Sequence, residues 1–149
     1  MRISTDQYFM EMALTASKRA TCNRRQVGAI LVRNNKILAT GFNGSPKGLP
    51  HCLDAGCLMI NGHCARCLHA EENALLQAAT DLSGAIIYCT DKPCLACTRR
   101  IINVGISRVI YLRDYPDPVA EEFMKLANIY LEQYNGSIQD LNGSCRNEY

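Results

Sequence analysis

Residues 85–112 read AIIYCTDKPCLACTRRIINVGISRVIYL, a strand, a helix and a second strand in succession. Residues 85–90 are a short apolar run of the kind a buried strand needs. Residues 94–104 follow at helical spacing. Pro93 stands just before them, where a missing N–H does no harm, and Gly105 marks their end. Residues 108–112 return to strand character. Downstream, residues 118–127 predict a helix and residues 129–134 a short last strand. Residues 136–149 are polar and are expected to be partly mobile. Upstream, residues 69–80 predict a helix through Ala70, Ala74, Leu75 and Ala78. Residues 27–32 and 36–42 read as strands joined by an Asn34-Asn35 turn. Residues 4–19 read as a helix, with Ser4 as its N-cap and Tyr8, Met12 and Leu14 at helical spacing. Residues 43–66 carry Gly, Pro, His and Cys without clear periodicity; a loop this long is usually functional or stapled. Strands alternating with helices after residue 84 imply a layered α/β sheet with an antiparallel hairpin at one side. No repeat or linker divides the chain, so one domain over residues 1–149 is expected.

Composition narrows the function classes. The chain has 149 residues, 48% of them apolar, and a formal net charge of +2. That charge gives no basis for a long nucleic-acid surface, though a local basic pocket for one phosphate is compatible with it. No apolar run reaches membrane-span length, and residues 1–10 lack a signal-peptide stretch. A cytoplasmic protein without a membrane partner is expected. Nine cysteines are many for a reducing compartment and an odd number for a disulfide framework. They read better as metal ligands. Cys89, in a strand pattern, and Cys145, in the polar tail, are expected to be ordinary packing or surface thiols.

Two segments carry chemistry: His69-Ala70-Glu71 and Pro93-Cys94-Leu95-Ala96-Cys97, each opening a predicted helix. Together they match the His-x-Glu…Pro-Cys-x-x-Cys signature of zinc nucleobase deaminases. One imidazole and two thiolates supply three ligands to a Zn2+ ion and leave the fourth tetrahedral position open, as a catalytic site requires. Helix N-termini favour thiolates. Glu71 lies two positions after His69, so it does not share that ligand's direction and can face the open position. There it would move protons between the activated water, the ring nitrogen and the departing ammonia. A lone Cys-x-x-Cys is common in structural zinc and redox sites; Glu71 is what a closed, purely structural site would not need.

The chain resembles the deoxycytidylate deaminase family from about residue 6 to residue 134. Besides the zinc motifs, the resemblance rests on Cys22-Asn23-Arg24-Arg25-Gln26-Val27-Gly28-Ala29 and Gly41-Phe42-Asn43-Gly44-Ser45-Pro46-Lys47-Gly48. It also rests on His51-Cys52-Leu53-Asp54-Ala55-Gly56-Cys57, on Gly62-His63-Cys64-Ala65-Arg66 and on Asn73. It implies a three-layer cytidine-deaminase-like fold, a five-stranded mixed sheet flanked by helices. It implies hydrolysis of dCMP to dUMP and ammonia, activation by dCTP, inhibition by dTTP, and a homo-oligomer, often a hexamer. The chain departs from the pattern at Glu72, usually methionine, and at Phe42, often tyrosine. Gln77 and Thr80 stand where some relatives carry residues linked to the effector response. Other deaminase substrates (cytidine, guanine, adenosine in tRNA) and a zinc-stapled binding module without turnover are the competing readings.

Beyond the catalytic motifs, Cys22, Cys52, Cys57, Cys64 and Cys67 crowd with His51 and His63 into one loop and the end of the first helix. A second, closed zinc site would staple that loop. Alignment with family members that resemble this arrangement implies Cys22, Cys52, His63 and Cys67 as its ligands. For the nucleotide, Asn43 lies in the turn that resembles the family's nucleotide-binding turn, although asparagine also suits a plain turn. Arg24 and Arg66 are the candidate phosphate cations, and Tyr115, past a strand end, is a candidate for the pocket mouth.

Overall fold

The computed structural model describes residues 1–138. The expectations for Cys145 and for most of the polar tail lie outside the described residues.

Five strands form one sheet, β2 (Lys36–Phe42), β1 (Gly28–Arg33), β5 (Ile86–Asp91), β6 (Arg108–Arg113) and β7 (Tyr130–Gln133) lying side by side in that order. Strands β1 and β2 are the expected hairpin. Asn34 and Asn35 both take the left-handed conformation of its turn, at φ 51° and 60°. Strand β5 runs antiparallel to β1, while β6 and β7 continue parallel to β5. The sheet is thus mixed, as expected.

Alternation along the strands builds a core on each face. Ile30, Val32, Tyr88 and Ile110 point to one side and bury Phe9, Met10 and Ala13 of α1 (Thr5–Ser17). Ala29, Leu31, Ile87, Cys89 and Val109 point to the other. There they meet Ala70 and Ala74 of α3 (Ala70–Gln77), Ile101 of α4 (Leu95–Asn103) and Met124 of α5 (Pro118–Leu126). Two buried faces explain why β1 and β5 read as near-continuous apolar runs. Cys89 packs there as an ordinary buried thiol. Ser4 caps α1, its side chain accepting from the Gln7 N–H.

Residues 43–66 are less irregular than their composition suggested. They hold a short helix α2 (Cys52–Ala55) and a small hairpin, β3 (Met59–Ile60) with β4 (His63–Cys64). Asn61 and Gly62, at φ 51° and 80°, make its turn. Asn-Gly is the strongest short hairpin signal, and cysteine density masked it. Among the described residues no helix is long and apolar enough to cross a membrane.

Candidate active site

His69 is the N-cap of α3 and Cys94 the N-cap of α4. Both helices start at one edge of the sheet, where β5 ends, so their first turns converge. His69 Nδ1 lies 3.5 Å from Cys94 Sγ and 3.3 Å from Cys97 Sγ. The three donor atoms all lie within 4.8 Å of one another. One ring nitrogen and two sulfurs at this spacing fit a tetrahedral zinc ion with one position left over. Cys97 is buried, Cys94 is half-buried and His69 is exposed, so the open side faces solvent.

Glu71 lies behind this cluster, 4% exposed, with Oε2 3.6 Å from Cys97 Sγ. Burial pushes its carboxyl up to about 7, with the charges of Cys94 and Asp91 adding to the rise against the opposing pull of His69. A group poised near neutrality can both take and give a proton. In the metal-free chain the three donors share charge among themselves. Cys94 is brought down to about 4 by the hydrogen bond from Cys97 and by His69. Cys97 is pushed up by that same hydrogen bond and by burial. His69 rises to about 9 through its bond to the Cys94 thiolate.

Several residues outside the sequence motifs hold this arrangement. Glu72 accepts from the His69 N–H at 3.4 Å and pairs with Arg100 of α4 at 3.5 Å, tying the two helices together. Asp117 accepts from Leu95 N–H, the first of α4, and from Ala120 N–H of α5. Gly44 and Leu68 exchange both backbone hydrogen bonds, which fixes the approach to His69. Asn73 donates to the Phe42 carbonyl at 2.8 Å. For Asp117, the spacing Asp-Pro-x-Ala before a helix was a legible cap signal; its second bond, across to α4, has no local signature.

The other candidate residues fall in different places. Asn43 is buried, its Oδ1 accepting from Val27 N–H and its Nδ2 donating to the Arg25 carbonyl. The side chain therefore clamps the strand entrance beside the site. Arg24 directs Nη1 at Met59 Sδ, and Arg66 donates to the Gly56 carbonyl. Each guanidinium thus places one terminal nitrogen on the insertion. Tyr115 is half-buried just past β6.

The remaining cysteines meet around Cys52. Cys52 Sγ lies 3.6 Å from Cys64 and 3.3 Å from Cys67, and Cys22 Sγ lies 3.7 Å from Cys57. Two groups of three result, Cys22-Cys52-Cys57 and Cys52-Cys64-Cys67, sharing Cys52. His63 belongs to neither and is exposed, while Cys22, Cys52 and Cys67 of the implied quartet all fall within these groups. Neighbours on a strand point to opposite faces; with Cys64 turned inward on β4, His63 must turn out.

A mixed sheet with a His-Cys-Cys triad and a buried glutamate at two helix starts defines a hydrolytic deaminase. Residues 3–113 match the family model described as cytidine and deoxycytidylate deaminase zinc-binding region, and the chain belongs to that family. The chain is 46% identical over 136 residues to ComE operon protein 2 of Bacillus subtilis, covering 89% of this chain and 72% of that protein. It is 44% identical over 144 residues to the deoxycytidylate deaminase of Schizosaccharomyces pombe, covering 89% of this chain and 45% of the relative. The chain therefore spans about half the length of that yeast relative. Among solved structures it matches the dCMP deaminase of cyanophage S-TIM5 in complex with dCMP and dUMP. The TM-score is 0.79 at 30% identity, covering 90% of this chain and 99% of that one.

Proposed function

We propose that the chain hydrolyses dCMP to dUMP and ammonia at the His69-Cys94-Cys97 site, as a cytoplasmic enzyme of pyrimidine deoxynucleotide supply. The observation that carries this reading is the buried Glu71 carboxyl set 3.6 Å from a sulfur of the donor triad. The likeness to deaminases named for dCMP supports the substrate. His69, Cys94 and Cys97 would hold the zinc. When bound, that ion supplies a Lewis acid which makes water nucleophilic near neutral pH. Glu71 takes a proton from the attacking water, hands it to the ring nitrogen, and helps protonate the amino group that leaves as ammonia. Burial excludes bulk water from Glu71 and sets its proton affinity. Asn43 and Tyr115 belong to the substrate pocket in this reading. Activation by dCTP, inhibition by dTTP and assembly into a homo-oligomer, a hexamer, complete it.

A second zinc held by four of the five sulfurs around Cys52 would staple the insertion. The convergence of two thiol triads on one residue supports it. Backbone N–H groups of Cys67, Arg66 and Leu58 outweigh burial at Cys64 and bring that thiol down to about 6, favouring the ligating thiolate.

The test is ammonia release from dCMP, dCTP, deoxycytidine, CMP and cytidine by zinc-loaded protein, with and without dCTP and dTTP. dCMP should be the preferred substrate. Glu71→Gln should keep zinc and fold yet lose turnover by about two orders of magnitude or more, the scale of a positioned acid–base group. A Glu71→Gln protein as active as its parent refutes the assignment.

A further inference from the structure

We propose that Arg25 and Arg113, held by the buried carboxylate of Asp91, form the anchor for the substrate's 5′-phosphate; this rests on the nucleotide reading above. Asp91 ends β5 and Arg113 ends β6, and the two are partners in register. They stand at the carboxyl edge of the parallel strands, where ligands bind in open α/β sheets. From the same edge α4 starts with Cys94.

The Asp91 side chain is 8% exposed and each of its oxygens takes one guanidinium. Oδ1 accepts from Arg113 Nε at 2.7 Å, and Oδ2 pairs with Arg25 Nε at 2.6 Å. Both guanidinia are thus gripped through Nε, which turns their terminal N–H groups away from Asp91. Arg113 spends one terminal nitrogen on the Gln26 carbonyl at 3.1 Å. Among the described residues its other terminal nitrogen and both of those on Arg25 meet no protein acceptor, and the side chains are 47% and 39% exposed. Two cations against one carboxylate leave a net charge of +1, displayed as unspent donors on fixed planes. That arrangement suits a phosphate monoester, which takes several charge-assisted hydrogen bonds at once.

The anchor is also held in place relative to the catalytic residues. Asn43 binds the Arg25 carbonyl and Gly28 N–H donates to Thr90 Oγ1, so the loop carrying Arg25 is pinned to β2 and β5. Asp91 lies within electrostatic reach of the Glu71 carboxyl. The neighbouring cation offers no alternative: Lys92, 4% exposed, is already enclosed by Asp114 and Glu121. Arg24 and Arg66, each with one terminal nitrogen on the insertion, are the comparison cations for the test.

The experiment measures kcat and KM on dCMP and on deoxycytidine for zinc-loaded parent, Arg25→Gln, Arg113→Gln, Arg25→Lys, Arg113→Lys, Arg24→Gln and Arg66→Gln. In parallel, calorimetry measures binding of dUMP and deoxyuridine. The ratio of kcat/KM for dCMP to that for deoxycytidine should fall about tenfold or more in each of the Arg25→Gln and Arg113→Gln proteins, chiefly through KM. The lysine variants should recover part of it. An unchanged ratio in both glutamine variants, or a fall confined to Arg24→Gln and Arg66→Gln, overturns the proposal. So does an equal loss on both substrates in the glutamine and lysine variants, which marks a folding role. Should the parent release no ammonia from dCMP, the functional reading fails and the binding arm decides. Weakened dUMP binding with a smaller loss for deoxyuridine then upholds the anchor, and absent or unchanged dUMP binding overturns it.

Discussion

Gly41→Ala adds one methyl group, yet it should damage the active site more than most surface changes could. Gly41 lies in β2 where that strand passes under the first turn of α3. A Cβ there would sit 2.2 Å from the Ala70 carbonyl oxygen and 2.5 Å from the Ala74 nitrogen. An ordinary C···O contact is about 3.3 Å, so one backbone must yield by about 1 Å. Both obstructing atoms belong to main chain, and no side chain can rotate out of the way. Ala70 is bonded to His69 on one side and to Glu71 on the other. Alanine also stiffens the unfolded chain, which favours folding by about 0.4–1 kcal/mol where the site is open. Overpacking here costs about 1–3 kcal/mol, and the clash wins. Net of that gain the cost is up to about 2.6 kcal/mol, and the expected fall in Tm is up to roughly 10 °C, from about 2–4 °C per kcal/mol for a chain of this size. The larger effect is kinetic: a misplacement of about 1 Å at reacting groups costs roughly a hundredfold. Thermal melts, zinc content and kcat/KM on dCMP, measured together, test this. A variant that melts lower but keeps its zinc and stays within about threefold of parental kcat/KM would refute the reasoning; it would show that the edge strand β2 yields and α3 does not.

In a Cys52→Ala protein, which lacks the second site, loading zinc at pH 7 should release about two protons, one from His69, raised to about 9, and one from the Cys97 thiol, with Cys94, at about 4, contributing none. An indicator-dye titration in weak buffer reads the number, and release near zero would place the ion elsewhere. Purified protein should carry about two zinc ions per chain, and Cys52→Ala should lower Tm more than it lowers kcat/KM, because binding free energy at a structural site is folding free energy. Metal analysis giving one ion per chain would return the five thiols to packing.

Much of the fold was legible because its signals are local. Asn34-Asn35 announces a hairpin, Ser4 a helix start, and the strand-helix-strand rhythm after residue 84 a layered sheet. Element ends were less so. Apolar spacing carried the expected α3 to residue 80, but the helix stops at Gln77 and Ala78 turns extended, at ψ 129°. In the insertion the reverse happened: Asn61-Gly62 carried a hairpin signal that the surrounding cysteines and histidines made easy to pass over.

The site divides along the same line. His69, Glu71, Cys94 and Cys97 are near neighbours in sequence within two helix starts, so their chemistry could be read from spacing alone. The groups that hold them are joined over long separations: Asp91 with Arg25 and Arg113, and Asp117 with Leu95. Nothing local distinguishes Arg25 from Arg24, yet one pairs with a buried carboxylate and the other lies along Met59. The difference is made by Asp91, 66 positions away, and only the pairing of β5 with β6 brings Arg113 to the same carboxylate. His63 and Cys64 teach the same lesson at one-residue distance: either is a good ligand type, and the alternation of β4 decides which faces the other sulfurs. Side-chain chemistry names candidates for a site, and strand register and helix placement choose among them.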